Sequence, residues 1–280
     1  MYRKNAPHPL LKTGLFYITT FAFSWSLWVP RALVENGLAD LPNFVHFLAK
    51  HASFGAWGPF LGAVTVALLF DGIFGLKDLG KRLLQFRFSA TWYGLSIVFL
   101  PMLIWLSGAI ATSIFDQTLP ATEAWQQPVN LPMAFIWIFF FGGPLQEEAG
   151  WRGTATHTLQ KRYSALTTAL YVGAVWGLWH LPLFYDLRSE IYYNQPFWGL
   201  FFSTTLLAVL LSILYNRTGG SLLAVMLMHT SFNWANYVFS SLQNEVAGLI
   251  YFVLLFTSVI GFVAYWGPKE LGQNRQNKES

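Results

Sequence analysis

The sequence predicts an all-α protein, a polytopic membrane helical bundle of about eight transmembrane helices. Three observations lead to this fold class. Of the 280 residues, 54% are hydrophobic and 18% are aromatic. Only 11% are charged, whereas an average soluble domain carries roughly 25%. The apolar residues are also gathered into runs of about 20, the length of helix that crosses the hydrocarbon core of a bilayer.

Eight such runs follow one another along the chain, joined by short connections. They cover residues 13–33, 53–70, 92–115, 131–146, 165–184, 197–215, 220–239 and 246–266. The fourth run is short, and the seventh carries polar residues. The first run contains no small-residue cleavage site, which favours a retained anchor over a signal peptide. Because no repeat or low-complexity segment divides the chain, we expect one integral membrane domain over 1–280.

The charges of the loops predict an orientation. Most basic residues fall at the termini or in alternate loops, namely Arg3, Lys4, Lys12, Lys77, Lys81, Arg82, Arg87, Lys161, Arg162, Arg217, Lys269, Arg275 and Lys278. The other loops carry Arg31, Lys50 and Arg188 with the acids Glu35, Asp40, Asp116, Glu123, Asp186, Glu190 and Glu245. Since basic loops stay in the cytoplasm, we expect both termini of this integral membrane protein to be cytoplasmic; for a bacterial protein the membrane would be the inner or plasma membrane. The lipid bilayer is then one partner, and the net charge of +4 gives no reason to expect nucleic acid. We favour a solvated loop over an interfacial helix for the basic segment 77–87.

The stretch GGPLQEEAGWR, from Gly142 to Arg152, places two adjacent carboxylates at the end of the fourth run. An ionisable residue in a bilayer is costly and marks a functional site by default. A proline after two glycines suits the first turn of a new helix, so we expect a break at Gly142 to Pro144. In that helix Glu148 and Arg152 are four residues apart and form an ion pair. Glu147 points about 100° away without such a neighbour in sequence, and we expect it to accept a proton. The alternative is a juxtamembrane helix with a surface Glu/Arg pair.

Two histidines, His180 and His229, lie in strongly apolar runs. Either one alone is compatible with a core histidine bonded to a backbone carbonyl. However, Asn233 follows His229 by four residues and shares its helical face, and Trp176 stands four residues before His180. Since buried polar groups in lipid pair with each other or with water, we predict one polar cavity built by the fourth, fifth and seventh runs.

Such a cavity is suited to hydrolysis in two ways. A glutamate can act as general base on a water that a histidine orients, while a second histidine and an asparagine donate to the oxyanion. Alternatively, Glu147, His180 and His229 hold a zinc ion that activates the water. Absent cysteine excludes a thiol nucleophile, and neither GxSxG nor HExxH occurs. We favour the metal-free chemistry, with no other cofactor, because asparagine is an uncommon zinc ligand and a good oxyanion donor.

Taken together, these motifs resemble the type II CAAX prenyl endopeptidases and their bacterial relatives, the CPBP or Abi family of intramembrane proteases. The family motif EExxxR is matched by Glu147, Glu148 and Arg152. FxxxH is matched by His180, with Trp176 in place of phenylalanine, and HxxxN or HxxxD is matched by His229 and Asn233. The resemblance covers about residues 130–240, which we take as the catalytic core.

The resemblance implies an eight-helix membrane endopeptidase whose cavity opens to the cytoplasm and to the membrane. Glu147 and His180 would activate the water, His229 and Asn233 would stabilise the oxyanion, and Glu148 with Arg152 would orient the site. The substrate would be a membrane-anchored peptide or protein. The competing hypothesis is a non-catalytic binding or immunity protein, of the kind that protects a cell from its own bacteriocin, using the same cavity. A transporter is disfavoured, because the polar segments show no inverted repeat.

Overall fold

The computed structural model describes residues 9–37, 41–189, 191–193 and 195–272. Within these ranges the chain forms helices and no strand, which confirms the all-α class. It folds as two compact units, each made of two separate stretches. The first comprises Met1–Lys81 and Gln146–Ala208, and the second comprises Arg82–Leu145 and Val209–Ser280. The single domain over 1–280 stays a prediction. Six charges used for the orientation lie outside the described residues, namely Arg3, Lys4, Asp40, Glu190, Arg275 and Lys278.

The helices of the first unit alternate in the sequence with those of the second. Those wholly or mainly in the first unit are Pro9–Glu35, Asn43–Lys50, Gly58–Val66, Gly72–Leu83, Pro144–Gly150, His157–Leu159 and Ala165–Trp179. Two π-helical stretches, Ala67–Asp71 and Trp151–Thr156, join helices within this set. The second unit holds Ala90–Ile114, Leu131–Phe141, Leu222–Val238 and Glu245–Trp266, and the helix Phe197–Arg217 runs from the first unit into the second. The favoured loop at 77–87 is wrong as far as Leu83, because Gly72–Leu83 is helical.

Several helices are strongly apolar and expose large apolar side chains on their surface. Among the residues that the structure describes, five helical segments are long and apolar enough to cross a membrane, namely Ala52–Leu83, Ala90–Ile114, Pro128–Leu159, Phe197–Arg217 and Glu245–Trp266. The helix Leu131–Phe141 has no buried residue, and it exposes large side chains such as Met133 and Trp137. Contiguous exposed apolar surface of this kind marks a membrane or partner contact. The chain is therefore an integral membrane protein.

The count of eight transmembrane helices stays a prediction. The fifth and seventh predicted spans correspond to Ala165–Trp179 and Leu222–Val238, which have 15 and 17 residues. Both are shorter than the roughly 20 residues that cross the hydrocarbon core. The first predicted span lies within Pro9–Glu35, a helix of 27 residues.

The predicted break before the glutamates is present. The helix Leu131–Phe141 ends at Gly142, and Gly143 adopts a φ of 111°, a conformation that residues with a β-carbon avoid. The next helix begins at Pro144, where the missing N–H of proline would have had no partner within the helix. Glu147 lies in the first turn of this helix, as the sequence predicts.

The helix that leads to His180 begins and ends through identifiable local interactions. The Ser164 hydroxyl oxygen accepts a hydrogen bond from the Thr167 backbone N–H at 3.1 Å, which caps the first turn. The predicted span 165–184 is wrong at its end, because the α-helix stops at Trp179 and a 3₁₀ turn follows. Pro182 accounts for this stop, since proline disfavours the α conformation in the residue before it. His180 therefore lies at the end of a helix.

Gly150, which lies between the two glutamates and Arg152, allows this part of the chain to pack closely against the segment that contains Pro59. A β-carbon at Gly150 would lie 2.6 Å from the carbonyl oxygen of Pro59, so only glycine fits at this distance. On the next residue, the Trp151 ring packs edge-on against Phe16, with the ring centroids 5.5 Å apart. This close approach leaves Glu148 and Arg152 without solvent exposure.

Candidate functional site

The predicted ion pair between Glu148 and Arg152 is present and fully buried. Arg152 Nη1 donates to Glu148 Oε1 at 2.9 Å, and both side chains are 0% exposed. The guanidinium also lies over the Trp176 ring, 4.5 Å from its centroid. Arg152 Nε and Nη2 have no hydrogen-bond partner within the described part of the chain. Glu148 is thus the main charge partner of Arg152, which also contacts the face of an aromatic ring, and a surface Glu/Arg pair is excluded.

Glu147 has a specific partner that the sequence did not indicate. The indole N–H of Trp176 donates to Glu147 Oε2 at 2.6 Å, and Glu147 is 6% exposed. Trp176 lies on the helix Ala165–Trp179, so no spacing along the helix of Glu147 indicates this contact. Arg152 faces both carboxylates and interacts more strongly with Glu148. Glu147 therefore lies between the Trp176 indole and the Arg152 charge.

His180 is fixed by the same tryptophan. Its Nδ1 lies 2.9 Å from the Trp176 backbone oxygen, and because a carbonyl only accepts, Nδ1 carries the proton. In the neutral form of such a ring, Nε2 is the nitrogen that accepts a hydrogen bond. The imidazole packs edge-on against Trp179 with the centroids 4.8 Å apart. Both the tautomer and the orientation of His180 are therefore set by residues of its own helix.

Tyr192 is a further residue of this site that sequence analysis missed. It follows His180 in the connection to the next helix, and its ring centroid lies 5.7 Å from that of His180. Partial removal from water raises the pKa of the Tyr192 hydroxyl, and the negative charge of Glu147 raises this pKa further. The hydroxyl therefore stays protonated at neutral pH. No motif or periodicity distinguishes Tyr192 from the adjacent Tyr193, so only the fold identifies it.

His229 and Asn233 belong to the second unit. Both lie on the helix Leu222–Val238, where His229 is buried. Asn233 Nδ2 donates to the backbone oxygen of Gly142 at 2.9 Å. The helix Leu131–Phe141 stops at the Gly-Gly-Pro break, so the Gly142 carbonyl is not bonded within that helix. Asn233 supplies the hydrogen-bond donor that this carbonyl needs. The cavity predicted to unite His229 and Asn233 with the glutamates stays a prediction.

The zinc alternative requires three protein ligands around one point. Over the residues that the structure describes, no group of three or more histidine, aspartate or glutamate side chains is close enough to hold a metal ion. The zinc site with Glu147, His180 and His229 as ligands stays a prediction. We derive no step of the chemistry through a metal.

Comparison with known proteins identifies the region of the chain that carries the predicted site residues. Residues 129–235 match the family model described as type II CAAX prenyl endopeptidase Rce1-like. A curated relative from Methanococcus maripaludis, named CAAX prenyl protease 2, is 32% identical over 92 residues, which are 31% of this chain and 34% of the relative. The chain thus spans about a third of the length of that relative. The matched region contains Glu147, Glu148, Arg152, His180, His229 and Asn233, and the resemblance drawn from the three motifs is confirmed.

Proposed function

Since residues 129–235 match the family model of Rce1-like type II CAAX prenyl endopeptidases, we propose that this chain is an intramembrane endopeptidase. It hydrolyses a peptide bond of a membrane-anchored peptide or protein. The observation that carries the proposal is the buried cluster in which Trp176 holds both the Glu147 carboxylate and the His180 imidazole. A buried carboxylate and an imidazole of fixed orientation are the groups that general-base hydrolysis needs.

In this mechanism a water molecule is the nucleophile. The Glu147 carboxylate takes a proton from the water as its oxygen attacks the scissile carbonyl carbon, and His180 Nε2 orients the water by accepting its other proton in a hydrogen bond. A C–O bond forms, and the carbonyl π electrons move to the oxygen. When the tetrahedral intermediate collapses, the C–N bond breaks and protonated Glu147 returns its proton to the leaving amine. Glu148 and Arg152 act by orienting this centre.

His229 and Asn233 are the proposed donors to the oxyanion. The asparagine amide carries two hydrogens, so the bond to Gly142 leaves it capable of a second donation. That bond also fixes the direction of the amide group, which is the preorganisation that oxyanion stabilisation requires. The matching HxxxN motif of the family supports the pair.

We expect Asn233→Ala to lower kcat by about 100-fold to 1000-fold, the usual effect of losing one oxyanion donor, with KM nearly unchanged. Asn236→Ala is the matched control, because Asn236 lies on the same helix and donates to the Phe232 backbone oxygen at 2.9 Å. It should retain the kcat of the parent. Steady-state kinetics on one cleaved peptide measures both variants. A loss confined to KM would favour a binding protein over an enzyme.

The orientation is also a proposal. Basic residues outside the spans dominate at the termini and in alternate loops, so the positive-inside rule puts both termini in the cytoplasm. What the Methanococcus maripaludis relative acts on is given only by its name. For this chain we propose the broader class of membrane-anchored peptides, because the buried site lies on helices that belong to a membrane protein.

The decisive experiment incubates detergent-purified protein with a library of membrane-anchored peptides and identifies new termini by mass spectrometry. We expect cleavage that continues in the presence of a zinc chelator. If peptides are bound and none is cut, the chain is a binding or immunity protein. A different result would be active protein that contains near-stoichiometric zinc, loses its activity to a chelator and regains it when zinc is added. That result would replace the metal-free mechanism by a zinc mechanism.

A further inference from the structure

Trp176 contacts three residues of the proposed site through three different parts of its structure. Its indole N–H donates to Glu147, its ring face lies under Arg152, and its backbone oxygen accepts from His180. The side chain is only 2% exposed. The motif that this chain resembles has phenylalanine here, and a phenyl ring offers the face and the backbone oxygen without any N–H. The indole N–H is therefore the feature in which this chain departs from the motif.

The bond from that N–H constrains the carboxylate strongly. At 2.6 Å it lies at or below the short end of the range for hydrogen bonds to a charged acceptor. It holds Oε2 of Glu147, and with one carboxylate oxygen held, the direction of Oε1 is fixed as well. Arg152 does not provide this constraint, because its hydrogen bond goes to Glu148. Catalysis by a general base depends on such fixed geometry, since small displacements from the reactive arrangement cause large losses in rate.

We propose that Trp176 is a positioning residue, which uses its indole N–H to orient the Glu147 carboxylate for water activation. This inference rests on the proposed function. Packing alone does not account for the contact, because the ring face is already in use beneath Arg152 and the N–H points at Glu147 from the ring edge. The prediction is that the N–H, separately from the ring, sets the turnover rate.

The test removes the N–H and keeps the ring. Trp176 is replaced by β-(3-benzothienyl)alanine, in which sulfur stands in the place of the indole nitrogen. We expect kcat to fall by about 10-fold to 100-fold, the effect of one hydrogen bond to a charged group, while KM and the melting temperature stay near those of the parent. The matched control is the same replacement at Trp28, which is similarly buried and donates to the Ala52 backbone oxygen at 2.9 Å. This control should keep the parent kcat.

Two comparisons separate this inference from the proposed function. In the Glu147→Gln background the replacement at Trp176 should lower the residual activity no further, because the base that it positions is gone. Independently of activity, the indole N–H signal of Trp176, assigned among the 13 tryptophans by its loss in Trp176→Phe, should move upfield in the nuclear magnetic resonance spectrum of Glu147→Ala. If the parent cleaves no peptide, the proposed function fails, and the signal still tests the bond. The positioning role would be overturned if kcat were unchanged when the N–H is absent. It would also be overturned if the Trp176 indole signal had the same position in Glu147→Ala as in the parent.

Discussion

Glu147→Gln is expected to lower peptide cleavage by about 100-fold to 10,000-fold, the contribution of a general base, without weakening the fold. Glutamine has the same shape as glutamate, and its carbonyl oxygen accepts the hydrogen bond from the Trp176 indole. The packing around this side chain, which is 6% exposed, is therefore preserved. What disappears is the group that takes the proton from water. The measurements are kcat on a cleaved peptide and the melting temperature in detergent.

The matched control for this substitution is Glu123→Gln, the same chemical change at an exposed glutamate of the second unit. It should match the parent in both kcat and melting temperature. Equal activity in Glu147→Gln and the parent would remove Glu147 from the catalytic role. A Glu147→Gln variant that binds peptides as the parent does but no longer cuts them would support the proposed mechanism, since binding and chemistry would then be separated.

The parts of the site that the sequence predicted are those set by geometry within one helix. Glu148 and Arg152 meet because residues four apart lie on one face of a helix, whatever the surrounding fold. The helix break is predictable for a similar reason, since Gly143 and Pro144 restrict the backbone locally. In both cases the structure is set by residues that lie only a few positions apart in the chain.

The parts that escaped prediction depend on how helices pack. Trp176 and Glu147 are 29 residues apart in the chain, and nothing in the spacing indicates that the indole N–H reaches that carboxylate. Similarly, the Trp25 indole donates to the Trp179 backbone oxygen at 3.0 Å, although the two residues are 154 positions apart in the chain. It thereby holds the helix end that carries His180. Contacts of this kind follow from packing, which a hydropathy pattern does not specify.

Hydropathy also misplaced the end of one helix. The apolar run containing His180 continues to Tyr185, so composition extends the predicted span through residue 184. The backbone stops at Trp179 because Pro182 disfavours the α conformation before it. A rule that reads proline as a helix terminator would have placed His180 at the helix end, and with it the connection that carries Tyr192.

Arg152→Ala is expected to destabilise the protein by about 3–5 kcal/mol, the range for breaking a buried ion pair by removing one partner. The Glu148 carboxylate, which is 0% exposed, would lose its salt bridge and stay in surroundings that water does not reach. The Trp176 ring would also lose the cation above it. Activity should fall as well, because both contacts adjoin Glu147. Unfolding by denaturant in mixed micelles, followed by circular dichroism, measures the change in free energy.

The same substitution at an exposed arginine gives the control. Arg188 Nε lies 2.9 Å from Glu35 Oε2, but the Arg188 side chain is 68% exposed, so Arg188→Ala should change stability by only about 0–1 kcal/mol. A second variant, Glu148→Gln with Arg152→Met, removes both charges together. It should recover most of the lost stability, because replacing a buried pair by neutral groups of similar volume is often nearly neutral. If Arg152→Ala were no more destabilising than Arg188→Ala, the buried pair would not be what holds the helix of the two glutamates in place.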